Sequence, residues 1–335
     1  MPPIKKILSI DGGGIRGIIP GQVLVEIEKA FGVQVASEFD LVAGTSTGGI
    51  LACAFLLPDA SEPTKPKFSA EEVVGLYFER GDKIFDVPFF HKIRSVAGIL
   101  DEKYPAKGIE NALNDYFAAA WLKDLLKPCV ITTYDIENRK GHFFGQHKAK
   151  GDPDYNFRVK DVARATSAAP TYFECERVIS EAGNSFALID GGVFVNNPSL
   201  VAYAEGRTIF KDNGDEATAK DMKILSIGTG HNRKSYKYSK AKNWGMAEWV
   251  QPVIDIMMSG SADVAHYQLD KIYGTIDNPK QYLRIDKDLN PDTTGIDPDM
   301  DCATQENMAK LKEFGQQLFE ENRGKIEEWL ETNKS

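Results

Sequence analysis

Residues 39–52 read Phe39-Asp40-Leu41-Val42-Ala43-Gly44-Thr45-Ser46-Thr47-Gly48-Gly49-Ile50-Leu51-Ala52. The apolar run 39–43 predicts a buried strand, 44–48 a sharp turn, and the residues after Ser46 a helix. A G-x-S-x-G set between strand and helix holds its serine at a strained turn, with the oxygen exposed at the sheet's edge. The flanking glycines leave room for backbone that a β-carbon would obstruct. Ser46 also stands at a helix N-terminus, where partial positive charge favours a developing alkoxide. The stretch predicts an α/β fold carrying a nucleophilic serine, and with it acyl-transfer chemistry.

Working outward, residues 7–10 predict a second buried strand, followed by a glycine-rich turn at 11–17 and a helix over 20–31. Residues 58–67 read as a loop. Helices are predicted over 70–84, 107–119, 246–273 and 303–332, and strands over 129–134, 186–189 and 223–227. Short apolar strands alternating with helices imply a central, mostly parallel sheet flanked by helices on both faces. There is no internal repeat or linker, so residues 1–335 are expected to form a single domain, with a catalytic core at about 5–210 and a C-terminal part at 220–335 packed on it.

The formal net charge is −9, from 49 acidic and 40 basic residues. That argues against nucleic acid held by bulk electrostatics. It argues equally against adhesion to an anionic bilayer through overall charge, so membrane contact would need a local apolar patch. No apolar run approaches the roughly 20 residues of a membrane span. Met1-Pro2-Pro3-Ile4-Lys5-Lys6 has no signal-peptide apolar region, and the expected location is cytoplasmic, at the inner face of a membrane. Cys53, Cys129, Cys175 and Cys302 stand far apart and are expected as buried free thiols. Asp297, Asp299 and Asp301 alternate, but Pro298 and the missing glycine and glutamate of a calcium loop count against a metal site. No metal or cofactor is implied.

A serine nucleophile needs a base and a site for the oxyanion. Asp11-Gly12-Gly13-Gly14-Ile15-Arg16-Gly17 follows the first strand and opens a helix. Consecutive glycines there let amide N–H groups converge on a negative oxygen, and Arg16 could add charge or brace the loop. Gly12, Gly14 and Gly17 also match G-x-G-x-x-G, a dinucleotide fingerprint. That reading wants an acidic residue closing a second strand about 20 residues on. Asp40 is near that spacing but opens its strand. Asp190-Gly191-Gly192 follows the predicted strand 186–189, placing an aspartate at a strand's C-terminal end, the edge where α/β proteins build sites. A plain Asp-Gly turn is the competing reading.

Together the Asp11–Gly17 loop, the Gly44–Gly48 elbow and Asp190-Gly191-Gly192 resemble the patatin-like phospholipase family. Further segments extend the likeness over nearly the whole chain: Phe78-Glu79-Arg80-Gly81 with Ile84-Phe85, residues 168–173, Ser226–Gly230 and Tyr282–Ile285. The resemblance implies a patatin-like variant of the hydrolase fold and a Ser46–Asp190 dyad in place of a triad. It implies an oxyanion hole from Gly12, Gly13, Gly14 and Arg16, supported by Asp11, Gly17, Gly44, Gly48, Gly191 and Gly192. The substrate it implies is a phospholipid or other lipid ester, met by peripheral membrane contact. Bacterial proteins of this kind include phospholipases activated by a cyclic dinucleotide in antiphage defence. That activator, a homo-oligomer, and a nucleotide-binding non-hydrolase stay open as alternatives.

An exposed aspartate is a poor base for a serine hydroxyl, and only a dry pocket would raise its proton affinity. Of His91, His142, His147, His231 and His266, His231 is best placed to complete a triad, with a loop or surface histidine as the simpler reading for each. Residues 88–100 form a basic amphipathic stretch that is either a membrane-facing lid or a core-facing helix. Trp244, Trp249, Met257 and Met258 are read as core, or as the wall of an acyl pocket, and Lys234–Lys242 as a solvated loop.

Overall fold

The computed structural model describes residues 3–84, 106–211, 214–232 and 235–331. The amphipathic stretch at 88–100, with His91, lies outside them. Among the described residues eight strands form one sheet: β1 (Lys5–Ile10), β2 (Leu41–Thr45), β3 (Cys129–Asp135), β4 (Lys140–Gly145), β5 (Glu176–Ile179), β6 (Ser185–Asp190), β7 (Met222–Ile227) and β8 (Tyr282–Ile285). Their order is β5-β6-β3-β2-β1-β7-β8, with β4 also paired to β3. β3, β2, β1, β7 and β8 run parallel; β4 and β6 run antiparallel to β3, and β5 pairs antiparallel with β6.

β1, β2 and β7 are buried along most or all of their length because helices cover both faces of the sheet. Successive side chains point to opposite faces, and the packing follows that period. Leu8, Ile10, Val42, Ile131 and Leu225 join one apolar cluster, while Ile7, Leu41, Ala43, Val130 and Ile224 join the other. The first face carries helices Ile18–Phe31, Thr47–Phe55 and Gln305–Glu331; the second carries Ser199–Ile209 and the end of Met246–Tyr273. Helix Ile18–Phe31 ends where Gly32 adopts φ 64° and its amide bonds the Glu28 carbonyl, a left-handed stop that glycine makes without strain.

Helices 70–84 and 246–273 have the expected bounds, while the elbow strand runs 41–45, two residues later than its apolar run suggests. The shift arises because Phe39 leaves the sheet to pack on Trp329, ring centroids 6.0 Å apart. β4, β5, β8 and helices Val159–Thr166 and Ser199–Ile209 add to the elements expected from the sequence.

β3 explains how the site is assembled. Its Val130–Asp135 pair with β4 along one edge, so its other partners fall on the opposite edge. There β2 pairs through Thr132, opposite Thr45, and β6 takes over from Thr133, opposite Asp190. β2 and β6 thus approach head-on along a single edge and stop against each other. Ser46 follows the tip of one strand and Asp190 is the tip of the other.

The last helix is held by Trp329, 2% exposed, against Phe39 and beneath the Lys223 ammonium, 4.6 Å from its ring. Lys223 is buried and donates to the Trp329 and Leu330 carbonyls at the helix end. Trp329→Ala is expected to cost about 3–5 kcal/mol, read as a lower urea midpoint.

Candidate active site

Ser46 sits at φ 54°, ψ −124°, a backbone region that non-glycine residues seldom enter and that the surroundings must enforce. Its amide donates to Thr166 Oγ1 at 2.9 Å, and Thr166 Oγ1 donates to the Thr132 carbonyl at 2.7 Å, tying the turn to β3. Its carbonyl accepts from the Gly49 and Ile50 amides, starting the helix Thr47–Phe55. Gly44 faces the Gly48 carbonyl and Gly48 faces the Ile10 carbonyl, too close in both places for a side chain. The elbow therefore has the strand–turn–helix context that its motif requires.

Asp190 is 4% exposed, accepts from Gly192 N at 2.7 Å and lines the same cavity as Ser46. Burial pushes its carboxyl up to about 6, against the nearby Ser46 hydroxyl and the Gly192 amide, which act to lower it. The strand carrying it runs opposite to the sense that the sequence reading assumed. Being antiparallel, β6 starts beyond the sheet's active edge and runs back toward it, and it ends level with Ser46 because β2 blocks further pairing.

The glycine loop lies against both groups. A β-carbon on Gly12 would come within 3.2 Å of Ser46 Cβ. The Gly12 amide, expected to face the oxyanion, instead donates to the Asn196 carbonyl at 3.1 Å. Gly13 and Gly14 line the cavity beside Ser46, and among the described residues their amides have no hydrogen-bond partner. Gly14 is at φ 58°, pressed on the Met300 carbonyl, which also accepts from Ile15 N at 2.8 Å. Arg16 Nε donates to the Gly13 carbonyl at 3.4 Å, so the arginine braces the loop. Gly17 packs against Thr47 and Gly191 against Thr132, each without room for a side chain, and Gly192 adjoins Asp190.

The loop's anchor was not foreseen. Asp11, 3% exposed, receives a two-pronged contact from Arg284: Nη1 to Oδ1 at 2.8 Å and Nη2 to Oδ2 at 2.6 Å. Arg284 also donates to Ser226 Oγ and to Asp286 Oδ2, both at 2.9 Å. Burial alone would weaken its proton affinity, but the charges of Asp11 and Asp286 raise it above the ordinary arginine value. Thr229 Oγ1 donates to the Gly12 carbonyl at 2.7 Å and closes the frame. The Arg284 signal was a lone cation among apolar neighbours at 282–285; nothing in its spacing named Asp11 as partner.

A cavity of about 110 Å³ opens on Ser46, Asp190, Gly13 and Gly14, on the scale of engineered cavities, about 150 Å³, that take up benzene. Its walls are apolar: Ile50 and Ala54 of the elbow helix, Val73 and Leu76 of helix Ala70–Ile84, Ile109, Leu113 and Phe117 of helix Ala106–Phe117, and Met258. Of the candidate wall residues near 250, Met258 reaches the cavity, joined by Ile254, which the sequence did not single out. Trp249 and Met257, read as core or pocket, are exposed, because the helix turns that side away from the sheet.

No histidine among the described residues lines the cavity. His231 Nδ1 lies 3.4 Å from Asp286 Oδ2, His147 pairs with Glu205, and His266 bonds the Tyr282 hydroxyl. His142 departs from the surface reading. It packs among Phe144, Phe157 and Phe186, and burial pushes its pKa down to about 4. All four cysteines are free; Cys53 and Cys129 are buried, whereas Cys175 is exposed.

The profile described as Patatin-like phospholipase matches residues 8–203, a stretch that contains the loop, the elbow and the aspartate turn. This chain belongs to the patatin-like phospholipase family. Patatin-like protein 1 of Arabidopsis thaliana is 35% identical over 93% of this chain and 81% of its own length. Patatin-like protein 2 of Oryza sativa subsp. indica is 33% identical over 97% and 86%. A Solanum tuberosum relative at 28% identity bears the name Probable inactive patatin-3-Kuras 1. VipD from Legionella pneumophila superposes only distantly, with a TM-score of 0.37 at 13% identity over 96% of this chain and 67% of that one. With membership of the patatin-like family comes its general activity, lipid acyl hydrolysis.

The sign of the Asp190 shift yields a stability prediction. Its folded pKa, about 6, lies above the ordinary 3.8, so the folded state binds this proton more tightly and loses stability as pH rises between those values. Asp190→Asn is therefore expected to be more stable than the parent at neutral pH, by up to about 3 kcal/mol. The advantage should shrink as pH falls and vanish near 4, in paired denaturant titrations.

Proposed function

We propose that the chain is a phospholipase A-type acyl hydrolase that works through Ser46 and Asp190. One observation carries the reading: a strained serine and a desolvated aspartate stand together at the end of one apolar cavity. In an open, wet site the same carboxylate would hold a proton too weakly to serve as base. Here burial raises its proton affinity toward the range a general base needs.

The cavity walls receive the fatty chain and set the ester carbonyl beside Ser46. Asp190 accepts the hydroxyl proton as Ser46 Oγ bonds to the carbonyl carbon. The carbonyl oxygen becomes anionic, and the Gly13 and Gly14 amides are the donors free to meet it; one lost donor of this type costs about 2.7–4 kcal/mol. The tetrahedral species collapses, the bond to the glycerol oxygen breaks, and Asp190 returns its proton to that oxygen, releasing a lysolipid. Water then gives a proton to Asp190, attacks the acyl-serine, and frees the fatty acid as Ser46 regains its proton.

Ser46→Ala and Asp190→Asn should each lower phospholipid hydrolysis by at least about 10³-fold, measured as released fatty acid, while His231→Ala keeps turnover within about threefold. A fluorophosphonate probe is expected to label the parent and not Ser46→Ala. Because Asp190 must be ionised to act as base, kcat/KM should fall as pH drops through about 6, and that limb should persist in His231→Ala. Its disappearance there would assign the titration to the histidine.

A further inference from the structure

The long helix Met246–Tyr273 carries an apolar face that the rest of the described chain leaves uncovered. Met246, Trp249, Val250, Val253, Met257 and Val264 are between 38% and 90% exposed. At 3.6 residues per turn they fall within a sector of about 100°. No carboxylate lies in that sector. Glu248 and Asp255 project from the opposite side, Glu248 accepting from Gly245 N at 3.0 Å and Asp255 from the Tyr236 hydroxyl at 2.9 Å. Soluble monomers seldom expose a continuous apolar strip of this length.

Two neighbours indicate what covers it. At the helix's start Tyr236, Trp244 and Trp249 stack edge to face, with centroids 5.5 Å and 5.0 Å apart, a grouping suited to the boundary between hydrocarbon and head groups. Beside them Lys237, Lys240 and Lys242 are exposed, and among the described residues none has an ion-pair partner. The chain carries net charge −9, so this cationic group is local and directional. The helix also belongs to the site: Ile254 and Met258, on the adjoining side, line the cavity that opens on Ser46.

We infer that this face docks on an anionic phospholipid surface, with the aliphatic strip in the outer hydrocarbon, the Tyr–Trp group at head-group level, and the three lysines against lipid phosphates. The inference rests on the proposed lipid hydrolysis and deepens it. A substrate insoluble in water must pass from bilayer to cavity, and docking here places the helix that walls the cavity at the membrane. The overall negative charge disfavours other approaches, so the strip also sets the orientation. A basic amphipathic face binds through apolar burial plus attraction to anionic lipid, and both contributions are present here.

The test uses the full chain carrying Ser46→Ala, so that the lipid is not consumed, co-sedimented with vesicles of phosphatidylcholine containing a minor fraction of phosphatidylglycerol. Replacing Val250, Val253 and Met257 together by Glu is expected to weaken binding at least about tenfold. Replacing Lys237, Lys240 and Lys242 together by Gln should weaken it about a hundredfold on these vesicles and little on phosphatidylcholine alone. All six positions are exposed, so thermal midpoints should match the parent and report intact folding. With Ser46 restored, both triple variants should hydrolyse a monomeric short-chain ester as the parent does, because none of these side chains lines the cavity. Vesicle binding unchanged by the glutamates overturns the inference. So does a parent dimer that the glutamates dissociate, which would assign the strip to a second copy. If docking is lost as expected but the Ser46 parent cleaves neither vesicle lipid nor soluble ester, the functional reading fails and the docking surface stands.

Discussion

One edge of β3 carries two strands in succession, and the candidate site follows from that sharing. β2 arrives from below and ends opposite Thr132; β6 arrives from above and ends opposite Thr133. Neither can extend without displacing the other, so each chain must leave the sheet at the meeting point. Ser46 turns out through a strained backbone that launches a helix, and Asp190 turns out through two glycines. The strain at Ser46 is held by the Thr166 relay to β3, and the same strand backbone thereby positions both Ser46 and Asp190.

Two buried carboxylates near this junction are handled in opposite ways. Asp11 is given a guanidinium in matched geometry, and that pair, with Ser226 and Asp286 around it, holds the glycine loop beside Ser46. A buried ion pair so fully hydrogen-bonded is worth most as a positional constraint, since desolvation offsets much of its attraction. Asp190 receives the Gly192 amide and, among the described residues, no cation. Its charge is poorly compensated, which raises its proton affinity and costs stability at neutral pH. The frame is charge-satisfied at Asp11 and charge-poor at Asp190.

The elbow was legible because its motif is local: strand, turn and helix lie within fourteen residues, and the glycines at 44 and 48 are sterically forced. The glycine loop was legible for the same reason, but the direction of its amides was not, since Gly12 is claimed by Asn196, 184 residues away. Asp190 was found through its neighbours Gly191 and Gly192, on an argument about strand ends that assumed a parallel strand. Arg284 was beyond reach, because a partner 273 residues distant leaves no period or spacing. Helix Met246–Tyr273 was readable in extent and misread in orientation: aromatic and methionine residues at helical spacing suggest core, and only tertiary packing shows which side is left bare. β4, β5 and β8 are short and partly exposed, so their apolar signal is thin.

The head-on meeting of β2 and β6 carries a consequence for how such a protein can vary. Side chains alternate across a sheet with a period of two, so inserting or deleting one residue within β6 would send its terminal aspartate through to the other face. A change of two residues would restore the face but drive the tip into β2 or withdraw it by a full pleat. Substitutions along β6 are absorbed by packing; changes in its length are not. The stretch from Ser185 to Asp190 is therefore a measured rod, free in composition and intolerant in count, while the loops that feed it can lengthen or shorten without moving its end.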